Sequence, residues 1–386
     1  MISKSFGITS IPPSAAFQNV STANSGFRVR VVQSDSRNEL SVTIDRAEQQ
    51  LAGTLVDPAT QTPFTNVADL SAAGPDGYFT APGVINYSTS AGGFAGNFTP
   101  DEPMPGLPGQ TSDPDQSVAN VAAEILAYLD LKAGNYRFGV NVADGFSAST
   151  RDIFGPPLVL GQSEHAGETL FDFAVSKDGF YPFRFVYVHG SGEGWIELFS
   201  VDAETDEKIL LNDPTDERSV KAYRLESSAA VVSFSPGINA EGVPANTSIS
   251  AVIAHGPSNL DTNTIRLTLD GVGVAAAIVS GSDTNYVQAS YQPSGALADG
   301  THAASVVFGA NPGELVTNQW SFNVGLPTEI KLSIASGANG LTISWIGGGT
   351  LQESSVVSGG WTNVDSSGSI VISPAAPARF YRVRRP

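Results

Sequence analysis

"GFYPFRFVYVHGSGEGWIELFSVD", residues 179–202, alternates with a period of two. In an extended chain Phe183, Phe185 and Tyr187 point to one side and Arg184, Val186 and Val188 to the other, because successive strand side chains take opposite faces. "HGSGEG" supplies a glycine turn and "WIELFSVD" returns. Apolar residues on both faces place this hairpin at the centre of a sandwich, with Phe183, Phe185 and Tyr187 in its core.

Neighbouring segments read the same way. In "NVAAEILAYLDL" (120–131) Val121, Ala123, Ile125, Ala127, Leu129 and Leu131 share one strand face; "GNYRFGVNVADGF" (134–146), "ETLFDFAVS" (168–176) and "GFRVRVVQ" (26–33) are further strands. "DRAEQQLAGTL" (45–55) is the one good helix signal, with Asp45 as N-cap and Gly53 as stop. From Phe64 to Gly109 the text is glycine-rich and dotted with Tyr78, Phe79, Tyr87, Phe94 and Phe98, which suits long loops between short strands. Exposed, these aromatics would form a carbohydrate platform; buried, they would plug the end of the sandwich.

Composition agrees with an all-β reading. The chain has 386 residues with 40 Gly, 24 Pro, 20 Phe and 10 Tyr, a usage that favours many short strands joined by tight turns. The length suits several domains. We expect an N-terminal arm or linker over 1–25, a jelly-roll-like β-sandwich over 26–224, an immunoglobulin-like sandwich over 229–325, and a small fibronectin-like β unit over 328–386. The third rests on short strands beginning at "VVSFSPGINAEGVPANTSISAVI"; the fourth, from "LTISWIGGGTLQESS" to "RFYRVRR", has too few residues for a thick core.

The formal net charge of -18 and the lack of a basic stripe argue against a nucleic-acid partner. No run approaches a membrane span, so membrane insertion is not expected. With no cysteine, thiolate metal sites, cysteine nucleophiles and disulfides are excluded together. The opening "MISKSFGITSIPPSAAF" lacks the apolar core of a secretory signal; we expect the mature or excised part of a longer secreted protein, with Met1 added for expression.

"LDLKAGNYRFGVNVADGFSAS" (129–149) and "FAVSKDGFYPFRFVYVHGSGEGWIELFSVD" (173–202) together resemble the protective-antigen-type β-sandwich domain, named after a fragment of anthrax toxin and found in adhesins, lectins and as inserts in glycosidases. Gly134, Tyr136, Phe138, Asp144, Gly145, Gly179, Tyr181, Tyr187 and Gly190 to Gly194 match its pattern in order. The later segments resemble the immunoglobulin-like and fibronectin-like C-terminal domains of large secreted bacterial surface proteins. The resemblance implies an extracellular or cell-surface scaffold whose partner is a glycan or cell-surface polysaccharide. In lectin members two consecutive aspartates before the glycine hold Ca²⁺, which coordinates sugar hydroxyls. Here that pair is Ala143-Asp144, so only Asp144 carries over as a metal ligand, with Asp152, Asp101 and Glu102 as candidate helpers.

The ligand-binding candidates are therefore Asp144, Gly145, Tyr78, Tyr87, Phe94, Phe98 and Trp195. Trp195 could stack on a pyranose, and the loops near 88–110 and 144–156 are the expected place for a ligand. Catalysis finds little: His165, His189, His255 and His302 keep no metal spacing, "GQSEH" (161–165) lacks the second glycine of a nucleophile elbow, and "DAETDE" (202–207) lacks the glycine and terminal glutamate of a calcium loop. No catalytic residue is assigned. Non-catalytic, Ca²⁺-assisted carbohydrate binding or adhesion is the expectation; a self-associating surface stalk and a glycan-active hydrolase are the alternatives.

Overall fold

The computed structural model describes residues 8–90, 93–151, 156–224, 229–255, 260–280, 286–311, 314–325, 330–337, 340–372 and 379–384. It is an all-β chain of three successive pairs of sheets.

The first pair holds the opening hairpin, whose two strands go to different sheets. Gly179–His189 lies between Val121–Leu131 and Gly145–Arg151 in one seven-stranded sheet. Trp195–Val201 lies between Gly134–Val142 and Asn86–Ser88 in the other. The turn thus crosses the sandwich instead of closing a two-stranded ribbon. Phe183, Phe185 and Tyr187 are buried in a core built from both sheets, together with all six apolar positions of Val121–Leu131 that share their face. Ring on ring, Phe138 meets Phe173 edge-on at 4.9 Å and tilts against Phe183 at 5.8 Å.

The opposite face of the central strands is covered by the helix Ile44–Leu51, against which Ala122, Val186 and Val188 pack. Its N-cap is Thr43, whose Oγ1 accepts from the Arg46 N–H at 3.2 Å; Asp45, expected to cap, sits in the first turn. There its charge favours the positive end of the helix dipole. Gly53, with φ +68°, follows the last turn as expected. From the sheet, Arg184 reaches Glu48 of the helix at 2.5 and 2.8 Å and Glu124 of the next strand at 2.5 Å. Burial alone would raise the Glu124 carboxyl, but Arg184, Arg30 and the Tyr78 hydroxyl outweigh it and hold it low.

The stretch read as an arm or linker is built into the sandwich from Thr9 onward. Thr9–Ile11 adds a parallel edge strand to Phe173–Val175, and Phe17 is fully buried against Tyr128 and Tyr286. Three apolar anchors, Ile11, Phe17 and Val20, outweigh the prolines that break the segment into short pieces. This same segment joins the second pair of sheets: Gln18 and Asn19 donate backbone N–H groups to the Val232 carbonyl, and the Tyr128 and Tyr286 hydroxyls meet at 2.7 Å.

The second pair has four and five strands around Phe234, Trp320, Phe308 and Phe322. His302 lies between two acceptors, with Nδ1 2.7 Å from Asp270 Oδ2 and Nε2 2.8 Å from the Ala298 carbonyl. Burial pulls its pKa down, but the Ala298 carbonyl and Asp270 pull harder, and the net shift is upward. A raised folded-state pKa means a stabilising contribution that is complete below the unfolded value near 6.5 and lost as pH rises through the folded value. Thermal melts are expected to show this unit losing stability above about pH 6.5, and His302→Gln is expected to flatten that slope. An identical slope in the variant would remove His302 as its source.

The third pair is thin. Among the described residues its two three-stranded sheets bury three apolar side chains, Ile343, Trp345 and Leu351. On the edge strand Lys331–Gly337, Ile334 pairs across to buried Ile343 yet is 59% exposed, so one flank of this unit is uncovered.

Candidate functional site

Asp144 occupies the turn between Gly134–Val142 and Gly145–Arg151 and braces the neighbouring turn. Its Oδ2 accepts from His189 Nδ1 at 2.7 Å and from the Gly190 N–H at 2.9 Å. The His189 ring is fully buried and stacks parallel to Tyr187, while its carbonyl takes a 2.9 Å hydrogen bond from Arg46. Burial lowers the Arg46 pKa to about 10, with Asp144, Tyr187 and Glu39 opposing. Gly145 is required by space: a Cβ there would stand 2.8 Å from Val188 and 2.9 Å from the Ser163 carbonyl. Asp152 lies outside the described residues.

The expected aromatics divide among three places. Trp195, with Phe94 and Phe98 of the segment from Asn86 to Pro103, belongs to the outer side of the sheet that holds Trp195–Val201, whereas Tyr87, paired with core residue Ile196, points into the sandwich core. Tyr87 is buried, and burial with a contribution from Glu102 pushes its hydroxyl up to about 12. Phe98 packs on Phe199 at 5.8 Å, Trp195 is half-buried with Nε1 3.4 Å from Asn141 Oδ1, and Phe94 is 76% exposed. Tyr78 does not join them. It lies against the other sheet, its ring 4.2 Å from the Arg28 guanidinium and its hydroxyl donating to Glu124.

Sequence reasoning missed the row on which this segment rests. Strand register sets Glu168 beside Asn141, Asn141 beside Glu197 and Glu197 beside Asn86, so four polar side chains cross four adjacent strands on one face. Glu197 is 0% exposed. Its carboxylate accepts from the Asn97 N–H (2.7 and 2.9 Å), the Phe98 N–H (2.8 Å) and Asn141 Nδ2 (3.0 Å). Burial raises its pKa against the pull of those donors. The one available sequence signal was a glutamate inside the apolar run "WIELF". Glu168 and Glu197 both bond the Asn97 side-chain amide, and Glu168 also takes Lys208 at 2.5 Å. Two close carboxylates suggest glycoside hydrolysis. Here the inner one is sealed beneath the loop and saturated with donors, which is the geometry of a structural clasp.

A cleft of about 430 Å³ opens on the flank of this sheet, farther along the strands than Glu197. Asn135, Tyr136, Arg137, Asp172, Asp202 and Arg218 are among its walls. Arg137 and Asp172 form a two-bonded fork at 2.8 and 3.0 Å on neighbouring strands, both sides about half exposed. Below them the Tyr136 ring stacks on buried Phe173 at 5.5 Å. None of the residues expected to bind ligand lines this cleft.

No family model matches the chain, and no curated protein matches it. Similar solved structures include the PA14 domain of the MpAFP antifreeze protein, 14% identical over 53% of this chain and 96% of that one, with a TM-score of 0.31. The epithelial adhesin 9 A domain from Candida glabrata, in complex with Galb1-3GlcNAc, is 13% identical over 54% of this chain and 96% of that one, with a TM-score of 0.27. CopC from Methylosinus trichosporium OB3b is 17% identical over 26% of this chain and 96% of that one, with a TM-score of 0.21.

Proposed function

We propose that the chain is a non-catalytic, extracellular carbohydrate-binding or adhesion protein, and that a glycan seats in the flank cleft. The observation that supports this reading is the cleft itself. Its volume lies in the range of small-ligand sites. Its polar groups are fixed in advance, since the Arg137–Asp172 fork holds both side chains while leaving guanidinium N–H donors and carboxylate lone pairs for hydroxyl groups. A sugar needs donors and acceptors set side by side, and this fork provides them.

At the tip, Asp144 Oδ2 already takes two N–H groups, from His189 Nδ1 and from Gly190. The proposed glycan contact therefore does not run through an ion at Asp144.

A glycan array probed with the full chain tests the reading, with the disaccharide named for the Candida glabrata adhesin among the first probes. The double variant Arg137→Ala/Asp172→Ala is expected to lose binding by at least about tenfold, or 1.4 kcal/mol. Because an exposed pair contributes at most about 1 kcal/mol to folding, its melting should barely move. Asp144→Asn is expected to keep binding. No glycan bound by the native chain, or undiminished binding by the double variant, would overturn the proposal.

A further inference from the structure

Two buried acceptor oxygens under the Asn86–Pro103 segment have no donor. Asn86 is 3% exposed and Asp101 5%, and the Oδ1 atom of each lacks a hydrogen-bond partner. The orientation of the Asn86 amide is not arbitrary. Its Nδ2 donates to the Pro100 carbonyl at 3.1 Å, which turns Oδ1 the other way. The Asp101 carboxylate is likewise fixed, with Oδ2 accepting from the Ala95 N–H at 2.9 Å.

These groups are brought together by register. Tyr87 pairs with Glu102 and Ser88 with Pro103 in parallel strands, so Asn86 and Asp101 stand at neighbouring positions one step earlier. Ser88 lies beside the same carboxylate: a methyl group placed on Gly93 would meet Ser88 Oγ at 2.6 Å and Asp101 Oδ2, the oxygen that accepts from Ala95, at 2.9 Å. No lysine or arginine among the described residues forms an ion pair with Asp101. An unpaired carboxylate oxygen and an unpaired amide oxygen, each more than nine-tenths buried, are costly unless something positive or hydrogen-donating faces them.

We propose that Asn86, Asp101 and Ser88 hold a hard cation, Ca²⁺, that pins the Asn86–Pro103 segment onto the sheet. An all-oxygen set containing a single carboxylate selects Ca²⁺ over softer ions. With one charged ligand the affinity belongs in the weak class, with Kd about 0.1–1 mM, the range of extracellular modules. The site is separate from Asp144 and independent of the glycan cleft.

Calorimetric titration of the EDTA-stripped full chain with CaCl₂, alongside melting curves at increasing CaCl₂, tests the inference. We expect a saturable heat and a rise in the first unfolding transition. Asp101→Asn is expected to weaken Ca²⁺ at least about tenfold, and Asn86→Asp, which adds a charge to the ligand set, to tighten it. No heat and no shift up to about 10 mM Ca²⁺ would overturn the proposal and leave the two oxygens to a buried water. Loss of binding in Asp144→Asn with unchanged binding in Asp101→Asn would place the ion at the tip and equally overturn it. Should Asp101→Asn fail to fold, Asn86→Asp decides, and an affinity that does not rise counts against the site.

Discussion

Replacing Phe183 by alanine is expected to cost the first sandwich about 3–5 kcal/mol, the range for removing a large aromatic from a close-packed core. The ring is 2% exposed and lies within 6 Å, centroid to centroid, of Phe138, Phe173 and Phe185, the first two from the facing sheet and the last from its own strand. Those neighbours are themselves held by backbone pairing, so the vacated space cannot collapse and the cavity penalty adds to the lost transfer energy. For a unit of this size each kcal/mol lowers the melting temperature by about 2–4 °C. The first transition in a denaturant or thermal melt should therefore fall steeply while the later ones stay. Phe183→Leu, which keeps most of the volume, is expected to lose under about 2 kcal/mol. A loss below about 1 kcal/mol for alanine would mean that this face of the hairpin is not the wall between the sheets.

The alternation that makes Phe183 legible is local, and this explains which parts of the molecule could be read in advance. Side chains at a period of two declare their face without reference to any partner, and the Val121–Leu131 face and the hairpin core follow from that alone. The polar row is different. Glu168, Asn141, Glu197 and Asn86 are far apart in sequence and become neighbours only through long-range strand pairing, which no local pattern encodes. The cleft has the same origin, since Arg137, Asp172, Asp202 and Arg218 come from four separate segments. Tyr78 shows the limit for single residues. In glycine-rich text it resembles Tyr87, and only the strand Phe79–Ala81 beside Phe27–Val29 carries it to Arg28 and Glu124 on the other sheet. The helix start, read at Asp45, lies two residues earlier for a smaller reason: Thr43 and Asp45 are both cap-forming residue types, and the sandwich contacts of Ile44 place it inside the helix.

The row also sets the second large effect. Glu197→Ala is expected to destabilise the first sandwich by about 3–5 kcal/mol, because several hydrogen bonds to one charged acceptor are lost at once. Three donors would lose their acceptor together: the part-buried Asn97 and Phe98 N–H groups and the buried Asn141 Nδ2. Each orphaned group costs about 1–3 kcal/mol, less whatever water entering under the loop recovers. Glu197→Gln keeps the shape but turns an NH₂ toward N–H donors, so about 1.5–3 kcal/mol is expected. Loss of the clasp should be visible locally as well as in the melt. With Asn97 and Phe98 released, Phe98 can leave the Phe199 ring, and protease is expected to cut near residues 94–99 in the variant before it cuts the native chain. A Glu197→Ala protein that melts within about 1 kcal/mol of the native and resists cutting there would show a different clasp. The ring contact and the Lys208–Glu168 pair would then suffice to hold the loop, and the buried carboxylate would be an inherited cost, not a support.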